Sequence, residues 1–180
     1  STTYTPQILD ILKHHNIHAA FFCIGKRIAE NEALLQRVHE EGHIIGNHSY
    51  SHDLWFDLFS AGKMAEDLFR MNKAMKKVIG IEPRLFRPPY GVTNPNLKKA
   101  IRKGKFIPVG WSVRSMDTVI KDAAKLLEKV TGSLKPGAVV LFHDTSKPTL
   151  DMLPAFIEHA RQKGYSIIRL DKLLNLEPYA

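Results

Sequence analysis

Two histidines four residues apart, His48 and His52, have a type and spacing that could do chemistry. On a helical turn, residues at i and i+4 lie on one face, so both imidazoles could bind one metal ion. No cysteine is nearby, which makes a borderline divalent metal such as zinc the expected ion. The alternative is two unconnected histidines in a chain that holds 9 of them. A zinc site would also need a third protein ligand.

Three further segments carry candidate functional side chains. Arg87 precedes two prolines, which stiffen its loop and suit either a fixed site or a rigid connector. His143 is the candidate general acid–base, because an imidazole titrates near neutral pH and Asp117 or Asp144 could adjust it. Its alternative is a buried structural histidine. Trp111 fits the hydrophobic core better than a ligand platform.

Short apolar runs alternate with amphipathic segments, which predicts an α/β protein with a parallel sheet. Five or six strand–helix units are too few for an eightfold barrel, which typically takes ~250 residues, so an open or incomplete barrel is expected. Thr5 is expected to cap the first helix, ahead of a proline in its first turn. We predict helices over 5–14, 29–40, 60–79, 95–103, 119–130 and 153–163, and strands over 18–24, 43–46, 85–86, 106–113, 138–142 and 165–170.

Every polar cluster of interest follows a predicted strand. His48 comes after the strand at 43–46, Arg87 after the one at 85–86, Asp117 after 106–113 and His143 after 138–142. In parallel α/β sheets, ligands bind outside the carboxyl ends of the strands. We therefore expect these four clusters to converge on one rim.

The composition excludes several classes of protein. The chain has 180 residues, of which 44% are hydrophobic and 24% charged, and these globular values exclude disordered and collagen-like architectures. No apolar run approaches the ~18 residues that a membrane span requires. The net charge of +8 comes from cations spread over several predicted helices, without a nucleic-acid-binding motif, so nucleic acid is not an expected partner. No secretory signal peptide is visible, and we expect the chain to be truncated at its N-terminus.

Read in chain order, four motifs resemble those of the polysaccharide deacetylase family, which is carbohydrate esterase family four with its NodB homology domain. The motifs are His-Ser-x-x-His from His48, Arg-Pro-Pro-Tyr-Gly from Arg87, Trp-Ser-Val-x-x-x-Asp from Trp111 and Leu-Phe-His-Asp from Leu141. The resemblance spans 5–170, and residues 1–180 would form a single domain. It implies a distorted, incomplete (β/α) barrel. It also implies metal-dependent removal of N-acetyl or O-acetyl groups from a polysaccharide, such as chitin oligomers or peptidoglycan, outside the cytoplasm.

The resemblance implies roles for the residues at matching positions. His48 and His52 would be two ligands of a divalent metal, with zinc expected and cobalt or nickel as other options. His143 would be the general acid, tuned by Asp117, and Arg87 would orient the catalytic base. On the substrate side, the residues would be Tyr90, through its backbone N–H at the oxyanion, Leu141, lining the acetyl pocket, and Trp111.

The chain departs from the family pattern at two places. The first family motif, Thr-Phe-Asp-Asp-Gly-Pro, carries the base and the third metal ligand, and it would immediately precede Ser1. We therefore expect the N-terminal strand to be missing, and no acidic residue of this chain takes the place of that motif by position. The family pattern also has tryptophan where Thr118 stands, which leaves the sugar specificity open.

Two other functions stay open. A catalytically silent carbohydrate-binding domain would lack both aspartates and use Trp55, Trp111 and Tyr90 as sugar platforms. A hydrolase of small amides or imides would share the same fold. Competition between acetylated oligosaccharides and cyclic amides would separate the second alternative from a glycan deacetylase.

Overall fold

A computed structural model describes residues 3–180 of the chain. The chain divides into two compact units, which we describe one at a time. The mid-chain unit contains residues 20–110 and 174–180, and the flanking unit contains the described residues up to 19 together with 111–173. Each unit contains parallel strands and helices, as the alternating sequence pattern predicts.

The mid-chain unit contains a four-stranded parallel sheet whose strands lie in chain order. Strand β2 is buried along its whole length, because its residues are covered on both faces, as is usual in parallel sheets. Its Asn47 lies opposite Cys23 of one neighbouring strand and Phe86 of the other. The strands are β1 (Ala20–Cys23), β2 (Ile44–Asn47), β3 (Leu85–Phe86) and β4 (Ile107–Pro108).

Three helices complete this unit: α2 (Glu32–Glu40), α3 (Ala61–Ile79) and α4 (Pro95–Gly104). The Ser60 hydroxyl caps α3 by accepting from the Lys63 N–H, and α3 ends at Gly80, whose φ of 73° suits a residue without a Cβ. Helices α3 and α4 pack against each other and β3 around a continuous apolar cluster. Its members include Phe56, Met64, Leu68, Phe86, Leu97 and Phe106.

The flanking unit pairs β5 (Val113–Arg114) with β6 (Val140–Leu141) in parallel. Its helices are α1 (Thr5–His14), α5 (Ala123–Gly132) and α6 (Lys147–Gln162), and α7 (Leu170–Leu174) follows. Side-chain caps define where α5 and α6 begin, since Asp122 accepts from the Lys125 N–H and Ser146 from the Thr149 N–H. Helix α6 packs against both α1 and α5.

Several predicted boundaries are wrong for local reasons. Tyr4 precedes α1 without a side-chain cap, and Thr5 is instead its first residue. The predicted strand 106–113 is two strands in different sheets, because Pro108 and Gly110 interrupt the run. Helix α6 begins at Lys147, earlier than predicted, because Ser146 caps it there and the helix continues through Pro154.

The predicted strand 165–170 is also wrong. Residues 165–169 lie outside any helix or strand of the described chain, and Ile167 and Ile168 are both exposed. A β-branched run becomes a strand only where another strand supplies ladder partners, and none of the described strands pairs with this segment. Within residues 3–180, no helix is both long and apolar enough to cross a membrane.

Candidate functional site

The segment from His48 to His52 leaves the carboxyl end of β2 as a loop, not as the helical turn that the i, i+4 spacing predicts. Two residues of this loop have left-handed backbone conformations, Ser49 with φ 69° and His52 with φ 46°. These bends bring the two imidazoles together, with 5.0 Å between their ring centroids. The predicted proximity is therefore present, although the backbone achieves it by a different route.

A buried asparagine at the end of β2 holds the start of this loop. Asn47 donates from Nδ2 to the carbonyl of Leu68 and to Oδ1 of Asn72, both at 2.9 Å, and its Oδ1 accepts from the Ser49 N–H at 2.8 Å. The Ser49 hydroxyl in turn accepts from the His52 N–H at 2.9 Å. The loop conformation is thus anchored to α3 from within the core. Sequence reasoning missed Asn47, although an asparagine that ends a run of buried strand residues was a usable signal.

Asp67 of α3 holds the middle of the loop. Its carboxylate accepts from the Tyr50 N–H at 2.7 Å and from the Ser51 N–H at 3.1 Å. Hydrogen bonds to a charged acceptor are stronger than neutral ones, so this contact stabilises the strained segment. Sequence reasoning missed Asp67 as well, and nothing in its helical neighbourhood marks it out, because its partners lie 16 and 17 residues away in the chain.

Each of the two imidazoles has its Nδ1 atom engaged. His48 Nδ1 lies 2.6 Å from the carbonyl oxygen of Arg87, and because a carbonyl only accepts, Nδ1 carries the proton. His52 Nδ1 lies 3.2 Å from the Tyr90 hydroxyl. Nδ1 partners of this kind are usual for metal-binding histidines.

The electrostatic surroundings keep His52 neutral. Burial lowers the pKa of His52 below the ordinary histidine value, and the charges of Lys26 and Arg27 act in the same direction, against an opposing backbone hydrogen bond. A histidine must be unprotonated to bind a metal ion. The chemistry of this pair therefore fits a borderline divalent cation such as zinc.

The number of ligands falls short of a complete site. Among the residues that the structure describes, no three His, Cys, Asp or Glu side chains are grouped so that they could hold a metal ion. Zinc sites in enzymes generally use three protein ligands. His48 and His52 thus fit such a metal in kind, and one further protein ligand is required.

Arg87 follows β3 and points its guanidinium at the end of the neighbouring strand. Nε donates to the carbonyl of Val109 at 3.1 Å and an Nη donates to that of Gly110 at 3.0 Å, while the group lies over the Phe22 ring. Burial lowers the pKa of Arg87 to about 10, which still leaves it charged at neutral pH. These contacts hold the side chain in place, whereas the two following prolines predict only a stiff loop.

Tyr90 has a left-handed backbone with φ 56°, and Gly91 follows it with φ 71°. The Tyr90 side chain is exposed, and its ring packs edge-on to His52 with centroids 4.9 Å apart. Tyr90 therefore lies beside His52 in a backbone conformation that non-glycine residues rarely adopt.

In the flanking unit, the two strand ends bring Asp117 and His143 together. His143 Nδ1 lies 2.7 Å from Asp117 Oδ1, and the His143 backbone N–H donates to Oδ2 at 2.7 Å. Asp117 is buried, whereas nearly half of the His143 side chain is exposed. Asp144, the other carboxylate considered for this role, instead accepts from the Thr5 hydroxyl at 2.5 Å. The partner of His143 is therefore Asp117.

The Asp117 carboxylate is held in its ionised form. Burial by itself raises its pKa, but hydrogen bonds from His143 and from the Thr149 hydroxyl outweigh this effect, so the pKa of Asp117 lies below its ordinary value. The imidazole accordingly keeps its proton on Nδ1 and directs Nε2 away from the carboxylate. Thr149 was not identified from the sequence, because it lies on α6, 32 residues beyond Asp117.

The two remaining residues predicted for the site, Trp111 and Leu141, are both half-buried and lie next to or on a strand. Trp111 is half-buried and lies before β5, not within the strand expected at 106–113. Leu141 is half-buried on β6, opposite Arg114. His48, His52, Arg87 and Tyr90 thus form one cluster in the mid-chain unit, and Asp117 and His143 form a second in the flanking unit. The expected convergence of all of them on one rim stays a prediction.

Comparison with known proteins gives consistent matches. The polysaccharide deacetylase family model matches residues 1–107. The peptidoglycan-N-acetylglucosamine deacetylase PgdA of Listeria monocytogenes is 33% identical over 174 residues, which cover 96% of this chain and 36% of that protein. The peptidoglycan-N-acetylmuramic acid deacetylase PdaA of Bacillus subtilis is 32% identical, over 95% of this chain and 66% of its own length. The chain thus spans about a third to two thirds of these relatives.

Among solved structures, a wild-type pseudoenzyme of the CE4 family from Bacillus anthracis superposes with a TM-score of 0.90 at 28% identity, covering 96% of this chain and 63% of that one. The expected fold class, an α/β fold of the NodB deacetylase type, is confirmed by this likeness. The family resemblance carried by the four motifs is confirmed as well. The chain belongs to the polysaccharide deacetylase family.

Proposed function

We propose that the protein containing this chain is a metal-dependent deacetylase that hydrolyses N-acetyl groups of a polysaccharide. The observation that carries the proposal is the contrast between two neighbouring imidazoles, His48 and His52, whose rings lie 5.0 Å apart, and a third imidazole, His143, paired with a buried carboxylate. The first arrangement suits metal binding and the second suits proton transfer. Amide hydrolysis uses both, since it needs an activated water and a proton for the departing amine.

His48 and His52 would hold the metal through their Nε2 atoms. Zinc is the ion that best suits this donor chemistry, with cobalt or nickel as other options. Such an ion, when bound, polarises the substrate carbonyl and makes a bound water more acidic. Arg87 contributes by accepting the His48 Nδ1–H at its carbonyl and so fixing the ring.

His143 would be the general acid. With its Nδ1–H donated to Asp117, the imidazole presents Nε2 to the substrate. A water oxygen bonds to the acetyl carbon and its proton passes to the base. As the C–N bond then breaks, the proton on His143 Nε2 passes to the amine nitrogen, and the products are acetate and the free amine of the sugar. Asp117 stays ionised throughout and stabilises the charged imidazole.

Tyr90 would stabilise the oxyanion formed on the acetyl oxygen. Its ring lies beside His52 and its backbone has a strained left-handed conformation, and strain of this kind is concentrated at functional sites. Removal of one oxyanion donor typically costs about 3 kcal/mol of transition-state stabilisation. Leu141 and Trp111 would line the acetyl group and the sugar.

The base and the third metal ligand would come from a segment outside residues 3–180. The family pattern has two aspartates immediately before the position of Ser1, on a strand that would complete the domain. Arg87, whose guanidinium is held by two carbonyl groups, would orient the base from there. The DNA sequence upstream of the Ser1 codon tests this directly, because an Asp-Asp motif is expected in it.

Peptidoglycan glycan is the substrate that the relatives favour, since PgdA and PdaA are named for N-acetylglucosamine and N-acetylmuramic acid residues of peptidoglycan. Chitin oligomers present the same N-acetylhexosamine chemistry. A wall substrate also implies that the protein acts outside the cytoplasm.

Acetate release from the full-length protein tests the proposed activity. Purified peptidoglycan and chitin oligomers would each be incubated with the apoprotein, with added zinc, cobalt or nickel, and with a chelator. We expect acetate release that requires the metal. No release from any of these substrates with any of the three metals would refute the proposal.

A catalytically silent glycan-binding protein is the second candidate. Two observations favour it: the described residues lack a three-ligand metal site, and a structural relative is a pseudoenzyme. Trp55, Trp111 and Tyr90 would then bind sugar. Chitin-oligomer binding that survives the chelator, together with no acetate release from the full-length protein, would favour this candidate over the deacetylase.

A further inference from the structure

The hydrogen bonds on Asp117 exceed what the pairing with His143 requires. The imidazole uses only Oδ1, at 2.7 Å. The second oxygen, Oδ2, accepts from the His143 backbone N–H and from the Thr149 hydroxyl, both at 2.7 Å. Thr149 is 2% exposed, so no water substitutes for its hydroxyl without a structural change.

The first turn of α6 places this hydroxyl. Thr149 donates its backbone N–H to the Ser146 hydroxyl at 3.3 Å, and Ser146 donates to the carbonyl oxygen of Asp117 at 3.0 Å. The end of α6 nearest Asp117 is its amino terminus, where the helix dipole also favours negative charge. Both the backbone and the carboxylate of Asp117 are thus attached to the same helical turn.

We propose that Thr149 is a positioning residue for His143, acting through the second oxygen of Asp117. The inference rests on the proposed function for its catalytic consequence, but the hydrogen-bond arrangement is independent of it. Both groups at Oδ2 are donors, and the backbone N–H cannot accept a proton in return. Asp117 therefore remains an acceptor, and the proton that it shares with the imidazole stays on His143 Nδ1.

The other charged groups near Asp117 and His143 have partners of their own. Asp144, next in the chain to His143, is engaged by the Thr5 hydroxyl of α1. On α6, Lys147 forms an ion pair with Asp151. His143 is the one titratable group whose charge influences the pKa of Asp117 within the described chain.

The carboxyl titration of Asp117 tests the proposal without reference to activity. The protein would be labelled with ¹³C at aspartate carboxyl carbons, and the Asp117 signal assigned with Asp117→Asn. We expect Thr149→Val, which keeps the shape but lacks the hydroxyl, to move the Asp117 midpoint upward by about one pH unit, a tenfold change in proton affinity. Thr149→Ser, which keeps the hydroxyl, is expected to restore the wild-type Asp117 midpoint. If the valine variant does not fold, Thr149→Cys, with its weaker donor, should give a smaller upward shift.

The same variants have a kinetic signature. In the full-length protein, Thr149→Val should lower kcat about tenfold with little change in KM and move the acid limb of the pH profile upward, and Thr149→Ser should restore both. A residue with only a structural role would lower stability and leave the Asp117 midpoint in place, and that result would overturn the proposal. A shifted midpoint in a protein that releases no acetate would support the positioning role while refuting the deacetylase function.

Discussion

The mid-chain and flanking units place histidine side chains in different electrostatic surroundings. In the mid-chain unit, the His52 imidazole is partly buried near Lys26 and Arg27, and its pKa is lowered. In the flanking unit, the more exposed His143 faces a buried, ionised carboxylate. Burial is the main reason that the His52 pKa is lowered, whereas His143 is oriented by a carboxylate that is itself held ionised.

This difference suits the histidines of the two units to the two proposed roles, metal ligand and general acid. In both units the Nδ1 atom is occupied, by the Arg87 carbonyl for His48 and by the Asp117 carboxylate for His143. A neutral carbonyl orients the ring without adding charge, and a carboxylate orients it and also stabilises positive charge. The identity of the acceptor at Nδ1 therefore separates the two roles.

The largest effect is expected from replacing one imidazole of each kind. His143→Ala should lower kcat by about 10²–10⁴, because a general acid contributes that much. His52→Ala should also lower activity, but excess zinc should restore part of it, since the loss is one of metal affinity. Acetate release from the full-length protein at increasing zinc concentrations measures both.

His14→Ala provides the control, because His14 is exposed on α1. Its activity should match the wild type. If excess zinc restored His143→Ala as well as His52→Ala, the distinction between the two units would be lost.

Asn47→Ala should have the next largest effect, on folding. It removes a buried amide with three hydrogen bonds and leaves their partners unsatisfied, so the free energy of unfolding should fall by about 3 kcal/mol. Urea denaturation measures the change. Asn96→Ala, which removes an exposed amide bonded to the Phe59 carbonyl, is the matched control and should cost about 0.5 kcal/mol or less. Equal losses in the two variants would contradict a special role for Asn47.

Asp67→Asn should affect the loop of residues 48–52, the proposed metal-binding segment, more than the whole fold. The amide offers one acceptor oxygen where the carboxylate offered two, so Tyr50 and Ser51 would lose charged hydrogen bonds. We expect zinc affinity to fall about tenfold, as is usual when an outer partner of a metal site is lost. Calorimetric titration of the full-length protein measures it. Glu66→Gln, at the exposed neighbouring position, should leave affinity unchanged, and a similar fall there would point to net charge instead.

The smallest effect concerns the pH dependence of stability in the flanking unit. Because the pKa of Asp117 is lowered on folding, its contribution to stability is present above the unfolded aspartate value of about 3.9 and is lost as pH falls through the lower folded value. In Asp117→Asn, the free energy of unfolding should therefore fall less steeply as the pH is lowered. Urea denaturation between about pH 2 and pH 6 measures this slope. Asp151→Asn, on the exposed face of α6, should leave that slope nearly unchanged. An unaltered slope in Asp117→Asn would contradict the stabilised carboxylate.

Much of the site could be predicted from the order of residues along the chain. His48 directly follows β2, Arg87 directly follows β3, and His143 and Asp117 lie just beyond β6 and β5. Strand ends are easy to locate because buried parallel strands are short apolar runs. The prediction of a strand at 165–170 was wrong because an apolar run does not reveal whether a partner strand exists.

The sequence by itself determined the residue types, their attachment to strand ends and the family to which they belong. Only the tertiary structure decided which partner each imidazole has and which charge state that partner favours. Asp67, Asn72 and Thr149 are far in sequence from the residues that they hold. Hydrogen bonding and burial act through space, so the pKa and orientation of a side chain depend on neighbours that chain position does not identify.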